Sequence, residues 1–396
     1  MKVPQIFDRN MKRLAFLDNA VSVGYSLEIN SLWTATFTLP ADDDKNAYCQ
    51  PLNFVEIFDG DERIDLFRII GEDLERSNGA TRFYDCEHVL ATLLSDVLFQ
   101  YHQYGGGGIK TADVLNYVLA RQTTRNWVLG DCDFKRYFEY NWENSTLLAA
   151  LFAVPECFDS EYMWTWDTTV YPWTISLVAP SDTMKSEVRY AKNMTSMKKT
   201  VDASGIANRI YALGYGEGVN QLTIAGVNGG KPYVEDAMSI QQYGLCSTIL
   251  VDSRYEVAEN LKGYAEQMLA ELKNPYVSYE IGAIDLHRLT GDTFSKFRPG
   301  EIVRVVDEAD GINLRTRIVS VEKSDAQGDP GSVTVTIANK SKDIAGSISE
   351  LQNRALINET YAQGATNQQI YNFTDNADAT HPATLKLYIS DSVVRI

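Results

Sequence analysis

The sequence predicts a β-rich α+β protein built around a duplicated β-module, and three observations lead there. First, Pro51-Leu-Asn-Phe-Val-Glu-Ile-Phe-Asp59 through Ile64-Asp-Leu66 reads as the same hairpin as Pro299-Gly-Glu-Ile-Val-Arg-Val-Val-Asp307 through Ile312-Asn-Leu314. Ungapped pairing matches Phe54 with Ile302, Val55 with Val303, Ile57 with Val305, Asp59 with Asp307, Ile64 with Ile312 and Leu66 with Leu314, and each hairpin runs into an Arg-Ile-aliphatic strand at Arg68 and Arg317. Second, aromatic residues make up 11% of the chain, with 22 Tyr and 6 Trp against 4 His, a bias toward strands and contact surfaces. Third, helical periodicity is confined to short segments lying between the strand-patterned regions. A duplicated β-module in one chain suggests a ring or pseudo-symmetric body, more often a scaffold than a catalyst.

From Leu14 to about Glu75 the pattern alternates; Trp33, Ala35, Phe37 and Leu39 share one face of a strand that Pro40 and Asp42-Asp43-Asp44 terminate. Asp85 is then placed to cap a helix carrying Val89, Leu90, Leu93, Leu94, Val97 and Leu98, and Gly105 to Gly108 separate it from a helix over Thr111 to Arg121. An α/β segment continues through a helix from Ser145 to Ala153 and strands Tyr162–Trp166 and Trp173–Leu177 joined by a turn at Val170-Tyr-Pro172. A strand at Asn208–Tyr215 follows a basic stretch, and Val257, Leu261, Tyr264, Met268 and Leu272 stripe an amphipathic helix between Arg254 and Lys273 that Pro275 ends. Ile344, Ile348, Leu351, Ala355, Asn358, Ala362, Ala365 and Gln369 have heptad spacing, which predicts either a short multi-stranded stalk or a solvated linker helix. Leu385-Lys-Leu-Tyr-Ile389 starts a new β pattern near the chain end, as though a further module followed.

The totals exclude several classes of function. A length of 396 residues with 44% apolar content supports two to four domains. A formal charge of −17 opposes nucleic acid as a held ligand, because phosphate binding needs clustered Lys and Arg, although it is compatible with DNA passing by. Cys49, Cys86, Cys132, Cys157 and Cys246 are odd in number and include no Cys-x-x-Cys pair, so they read as reduced core thiols in a protein assembled in cytoplasm. Neither a secretion signal nor an apolar run long enough to span a membrane is present.

Motifs that would carry chemistry are weak. Gly105-Gly-Gly-Gly-Ile-Lys-Thr111 lacks the Gly before Lys that a phosphate-binding loop requires, and Gly214-Tyr-Gly-Glu-Gly218 lacks dinucleotide spacing. His88, His102, His287 and His381 are isolated, and carboxylate pairs such as Glu301 with Asp307 are uninformative among 53 acids. No catalytic, cofactor-binding or metal-ligating residue is therefore assigned. Eleven aromatics between Tyr137 and Trp173 are expected to divide between core and a subunit contact.

Asn208-Arg-Ile-Tyr-Ala-Leu-Gly-Tyr-Gly-Glu-Gly-Val-Asn-Gln-Leu-Thr-Ile224, followed by Pro232-Tyr-Val-Glu-Asp236, Gln242-Tyr-Gly244 and the helix closing in Leu-Lys-Asn-Pro275, resembles the N-terminal region of phage minor tail proteins. These are the tail-associated lysins or tail-tip hub proteins of long-tailed phages and prophages of Gram-positive bacteria, and the likeness extends loosely from residue 1 to about 345. The resemblance implies a baseplate-hub-like fold: two related β-barrel domains, each with an α/β companion, assembled as a homotrimer whose six barrels form a ring. The expected domains are 1–84 (part of the first barrel), 85–188 (α/β), 189–225 (strands joining the second barrel), 226–275 (small α/β insertion), 276–342 (second barrel), 343–370 (helical stalk) and 371–396 (start of a C-terminal β module). Trp33, Phe54, Ile57, Ile302 and Val305 are expected in barrel cores.

The implied role is a structural plug and channel at the virion's tail tip, acting in host attachment and genome delivery. Its expected partners are the distal tail ring, the tail tube or tape measure protein, receptor-binding proteins and the host cell surface; DNA passes through without specific binding. No enzyme is expected within the chain, since a cell-wall hydrolase of this family would lie C-terminal to the hub. Two other readings stay open: a peptidoglycan hydrolase using dispersed acids with His88 and His287, and a carbohydrate-binding adhesin using Trp164, Trp166 and Trp173.

Overall fold

The computed structural model describes residues 2–338 apart from 78, 159, 292–295 and 310, together with the backbone of two short strands near the chain end. The predicted heptad seam, and with it the stalk, lies outside the described residues. The chain divides into two compact units, one comprising Met1–Ser204 with Pro275–Lys340 and the other beginning at Gly205–Asn274.

In the first unit, β1 (Gln5–Phe7), β2 (Arg13–Phe16), β3 (Ser22–Glu28), β4 (Thr34–Pro40), β5 (Phe54–Asp59), β6 (Glu62–Ser77) and β7 (Gly79–His88) open the chain. An inserted segment follows, with β8 (Val97–Gly105), α1 (Thr111–Leu119), β9 (Trp127–Cys132), β10 (Glu139–Thr146), α2 (Leu147–Phe152), β11 (Met163–Asp167) and β12 (Trp173–Val178). The chain returns through β13 (Met184–Arg189) and β14 (Met194–Asp202) before entering the second unit. That unit contains β15 (Arg209–Leu213), β16 (Tyr233–Glu235), α3 (Ala237–Tyr243), β17 (Ser247–Val251) and α4 (Ala258–Leu272). In it β15 is the central strand of three, and α4 buries Leu261, Tyr264, Met268 and Leu272 of the predicted stripe, whereas Val257, its fifth member, is the exposed residue capping the helix start. The first unit resumes with β18 (Tyr276–Ile284), α5 (Leu286–Thr290), β19 (Ile302–Asp307), β20 (Ile312–Lys323) and β21 (Ser332–Ala338). The new β pattern near the chain end is a hairpin of β22 (Lys386–Ile389) and β23 (Ser392–Arg395).

The duplication extends well beyond one hairpin. Strands β3, β4, β5, β6 and β7 pair in the spatial order 3-4-7-6-5, and β14, β18, β19, β20 and β21 pair in the corresponding order 14-18-21-20-19. Even an irregularity recurs: the ladder slips by one residue between Ile69 and Gly71 in β6–β7, and between Ile318 and Ser320 in β20–β21. A bulge at the same place in two copies of one topology is a specified feature, since each leaves a residue out of the ladder and turns the strand.

Each repeat encloses its own core. Val23, Ala35, Phe37, Val55, Ile57, Phe67, Ile69 and Tyr84 belong to the first cluster, and Ile281, Val303, Val305, Ile318, Val335 and Ile337 to the second. Residues from all five strands of the first repeat thus meet in one cluster, so that sheet curls. Instead of two separately closed barrels, the thirteen strands of this sheet form one continuous ladder among the described residues, with β3 of the first repeat hydrogen-bonded to β20 of the second.

Two local predictions need correction. Residues 79–88 form β7, paired on both sides with β4 and β6, so Asp85 lies in a strand and caps no helix. A short 3-10 turn over Val89–Leu94 follows, with His88 Nδ1 accepting from Leu90 N–H. The sequence match along the second hairpin strand is also one residue out. Phe54 faces Arg68 and Ile302 faces Arg317, so Ile57 faces Asp65 where Val305 faces Leu314; the cause is a slip between Ile57 and Phe58 that the second hairpin lacks.

Candidate functional site at the seam between the repeats

The two repeats meet where Tyr25–Glu28 of β3 pair antiparallel with Ser320–Lys323 of β20. Beside this seam opens a cleft of about 390 Å³, lined by side chains of both repeats and of the inserted segment. Hairpin β5–β6 contributes Asp59, Glu62, Arg63 and Asp65; the end of β11 and the turn after it contribute Trp166 and Thr168; Asp285, His287, Lys296 and Arg298 enter from the connection between β18 and β19.

Three charge networks occupy the cleft. In the deepest, Lys323 is only 2% exposed, and its Nζ donates to Asp59 Oδ2 at 2.6 Å, Asp285 Oδ2 at 2.8 Å and the Pro330 carbonyl at 3.0 Å. Tyr25 Oη donates to the same Asp59 oxygen at 3.0 Å, and burial followed by the Asp59 charge raises the Tyr25 hydroxyl well above the usual phenol range. A buried ammonium is tolerated only with this degree of pairing. In the second network Lys296 and Arg298 reach Glu62 at 2.5 and 2.8 Å. Burial would raise the Glu62 carboxyl, but the hydrogen bonds and charges of those two cations outweigh it and hold it below the ordinary value.

The third network is centred on Asp65, which accepts from Leu66 N–H at 2.8 Å and from Thr168 Oγ1, with Arg63 Nη1 at 3.4 Å. His88 Nε2 lies 3.4 Å from the other oxygen of Asp65. Burial is again the largest influence on Asp65 and raises it, but His88, Thr168 and Arg63 together prevail and lower it. His88 itself is 0% exposed, enclosed by Trp33, Phe67, Trp127 and Trp166. Because Nδ1 already accepts a backbone N–H, the neutral ring carries its proton on Nε2, toward Asp65.

This arrangement suits a clamp better than a catalyst. Every carboxylate named here already has a cation or hydroxyl on it, and the imidazole nearest to a carboxylate is sealed among rings. Of the other histidines, His102 Nδ1 sits 2.9 Å from Tyr117 Oη outside the cleft, His287 lines the cleft, and His381 lies outside the described residues. Glu301 and Asp307 stand at opposite ends of β19, roughly 20 Å apart at about 3.3 Å per residue, too far for paired carboxylate chemistry. Trp164 and Trp173 are buried, and Trp173 packs its ring on Trp127, Phe54 and Tyr171, so neither offers a face to a sugar. Ile57, Val305, Phe54 and Ile302 are buried and Trp33 partly so.

The glycine run has the strand–loop–helix context the sequence did not show, joining β8 to α1. Gly105 adopts a φ of 123°, and a Cβ there would approach the Phe138 carbonyl to 2.2 Å, so the run serves a close backbone passage. Among the described residues no group of three or more His, Cys, Asp or Glu is placed to hold a metal ion, and no helix is long and apolar enough to cross a membrane. No local pattern announces the Lys323 network, because Lys323 ends a strand that also carries Arg315, Arg317 and Glu322.

Known proteins share parts of this sequence and much of this fold. The sequence matches the prophage endopeptidase tail family over residues 181–348 and the prophage endopeptidase tail domain over residues 106–172. No curated protein matches it. The fold is similar to that of prophage tail protein gp18 from Listeria monocytogenes EGD-e, at 14% identity and a TM-score of 0.60, covering 90% of this chain and 99% of that one. It is also similar to a tail protein from Neisseria meningitidis MC58 (10% identity, TM-score 0.63, 85% of this chain and 96% of that one). A third is the 43 kDa tail protein of prophage MuSo2 from Shewanella oneidensis (14% identity, TM-score 0.59, 86% and 98% covered). A fold shared across hosts this different does not assign a Gram-positive one. The two family matches cover the first unit's inserted segment and the chain that follows it, and a fold similar to that of phage tail proteins extends along most of the length.

Proposed function

We propose that this protein is a structural hub at the distal end of a phage tail, assembling as a homotrimer whose strand repeats form a ring of six. The observation that carries the reading is the repeat itself: two five-strand modules of one connectivity, joined edge to edge through β3 and β20. Such a body places two like units per chain around an axis, which fits a small number of copies onto a tail of higher symmetry. In this reading each curled repeat is one barrel of the hub, completed by its neighbours, with β15 belonging to the second unit and not to strands joining the second barrel, and with a stalk over 343–370. The strongly acidic composition suits a conduit, because an acidic wall does not retain DNA. Attachment, genome passage and partnership with the distal tail ring, tube or tape measure and receptor-binding proteins follow from that position in the virion, after assembly in the host cytoplasm.

The family name includes an endopeptidase, so a cell-wall hydrolase is the reading to test against this one. Paired acids and a sealed His88 favour the structural role for the residues described, and any hydrolase then belongs to a C-terminal extension. Light scattering on the purified chain is expected to give three chain masses, and a clean monomer at micromolar concentration overturns the hub. A zymogram on bacterial cell walls is expected to stay blank; clearing that is lost in His287→Ala would replace the structural reading with the enzymatic one.

A further inference from the structure

The two sides of the β3–β20 seam have counterparts elsewhere in the duplicated fold, and among the described residues both counterparts lack a strand partner on the corresponding edge. Tyr25 faces Ala35, which faces Cys86, which faces Ile69; in the second repeat Lys199 faces Tyr279, which faces Ile337, which faces Ile318. Strand β14 is therefore the equivalent of β3, with Val201 in the place of Leu27. The distal half of β6 from Gly71 is the equivalent of β20 from Ser320, since both begin just beyond the shared bulge. Yet β14 pairs only with β18, and β6 beyond Gly71 pairs only with β7.

We propose that these two edges join copies of this chain: β14 of one protomer pairs antiparallel with residues 71–76 of β6 of the next, repeating between molecules the seam that β3 and β20 make within one. Burial supports the equivalence. Leu27 is 8% exposed because the neighbouring repeat covers it, whereas Val201 at the matching position is 56% exposed. Ile70 and Leu74 on the other edge are exposed as well. Long unpaired edges of this kind are normally blunted or covered in stable proteins.

Charge makes the edges complementary and distinguishes this partner from others. Residues 71–76 carry Glu72, Asp73 and Glu75 against Arg76, and β14 carries Lys198 and Lys199. Transferring the register in which Leu27 faces Val321 and Tyr25 faces Lys323 sets Val201 opposite Glu72 and Lys199 opposite Leu74. One step further along, Lys198 falls opposite Glu75. Opposite charges directly across an antiparallel pair stabilise it, and like charges there oppose it. The interface is heterologous, because a chain uses one edge toward each neighbour, so it produces a ring when the rotation closes. This inference rests on the hub reading for the existence of an assembly, and it adds which strands make it.

Cross-linking tests it on the full chain. Glu75→Cys and Lys198→Cys proteins, each with Cys132→Ser and Cys246→Ser, are mixed and mildly oxidised while light scattering follows the assembly separately. Covalent dimers in the mixture and in neither protein alone are expected. Assembly without that cross-link overturns the proposed interface and leaves the hub reading standing; a monomer without it overturns both. Lys198→Glu is expected to weaken self-association at least tenfold, and Glu75→Lys in the same chain to restore it. Failure of that rescue counts against the register. On the unaltered protein, amides of residues 195–201 and 71–76 are expected to gain hydrogen-exchange protection together on assembly, and protection of one edge without the other contradicts the pairing.

Discussion

Replacing Lys323 with Met removes the one buried cation shared by Asp59 and Asp285 while keeping an unbranched side chain of similar length in the cleft. The Asp59 and Asp285 side chains are 9% and 15% exposed, so neither carboxylate can recover its full hydration. Removing one partner of a buried pair costs about 3–5 kcal/mol, because the remaining charge is left uncompensated. Two carboxylates lose the same cation here, but the Tyr25 hydroxyl stays on Asp59 and Asp285 is the more open to water, which keeps the expected loss within that range rather than doubling it. For a body this large the change corresponds to a fall of roughly 6–15 °C in melting temperature. Differential scanning calorimetry at pH 7 reads it directly. Adding Asp59→Asn and Asp285→Asn to Lys323→Met is expected to recover most of the loss, since the stranded charges then disappear. A Lys323→Met protein melting within 2 °C of the parent, or a triple variant no better than the single one, refutes the view that this network stabilises the seam.

Acid titration checks the other two networks. Asp65 and Glu62 titrate below their ordinary values in the folded state, so the unfolded chain binds more protons as pH falls, and stability rises with pH across that window. Their contribution is expected to be complete above about pH 5 and to vanish as the pH drops through the folded values, with Asp65→Asn flattening that limb in pH-dependent urea melts. Trp173→Ala is expected to cost about 3–5 kcal/mol by urea denaturation, the usual figure for a large buried aromatic ring, with no change on a glycan array. In native protein at pH 8 a thiol reagent is expected to reach Cys246 first: burial pushes Cys49 up to about 12, raises Cys86 well above the usual thiol range and raises Cys132, and Cys157 is also buried. Rapid labelling of Cys86, located by peptide mapping, contradicts the core assignment.

Alternation and end signals made the duplication legible, because Phe54-Val-Glu-Ile-Phe-Asp59 and Ile302-Val-Arg-Val-Val-Asp307 present the same faces to their cores. Register was not legible beyond the turn, since a bulge at Ile57–Phe58 depends on how the loop closes. The apolar residues from Val89 to Leu98 have helical spacing, but pairing of the preceding residues with β4 and β6 commits the chain to a strand, and the run is then divided between a 3-10 turn over Val89–Leu94 and the start of β8 at Val97 and Leu98. The cleft was illegible for a related reason. Asp59, Asp285 and Lys323 lie far apart in sequence and converge only when two repeats meet, so no local spacing announces them.

One substitution between the repeats has a consequence for any closed assembly. Asp65 occupies the position that Leu314 holds in the second copy, and around it Arg63, Thr168 and His88 have gathered as a polar constellation where the other repeat keeps a hydrocarbon. The backbones remain near-equivalent while their interiors have lost interchangeability. In the proposed trimer such halves would alternate, odd and even, so that a docking protein would meet each kind of surface once per chain and could count in threes on a ring whose main chain repeats in sixes.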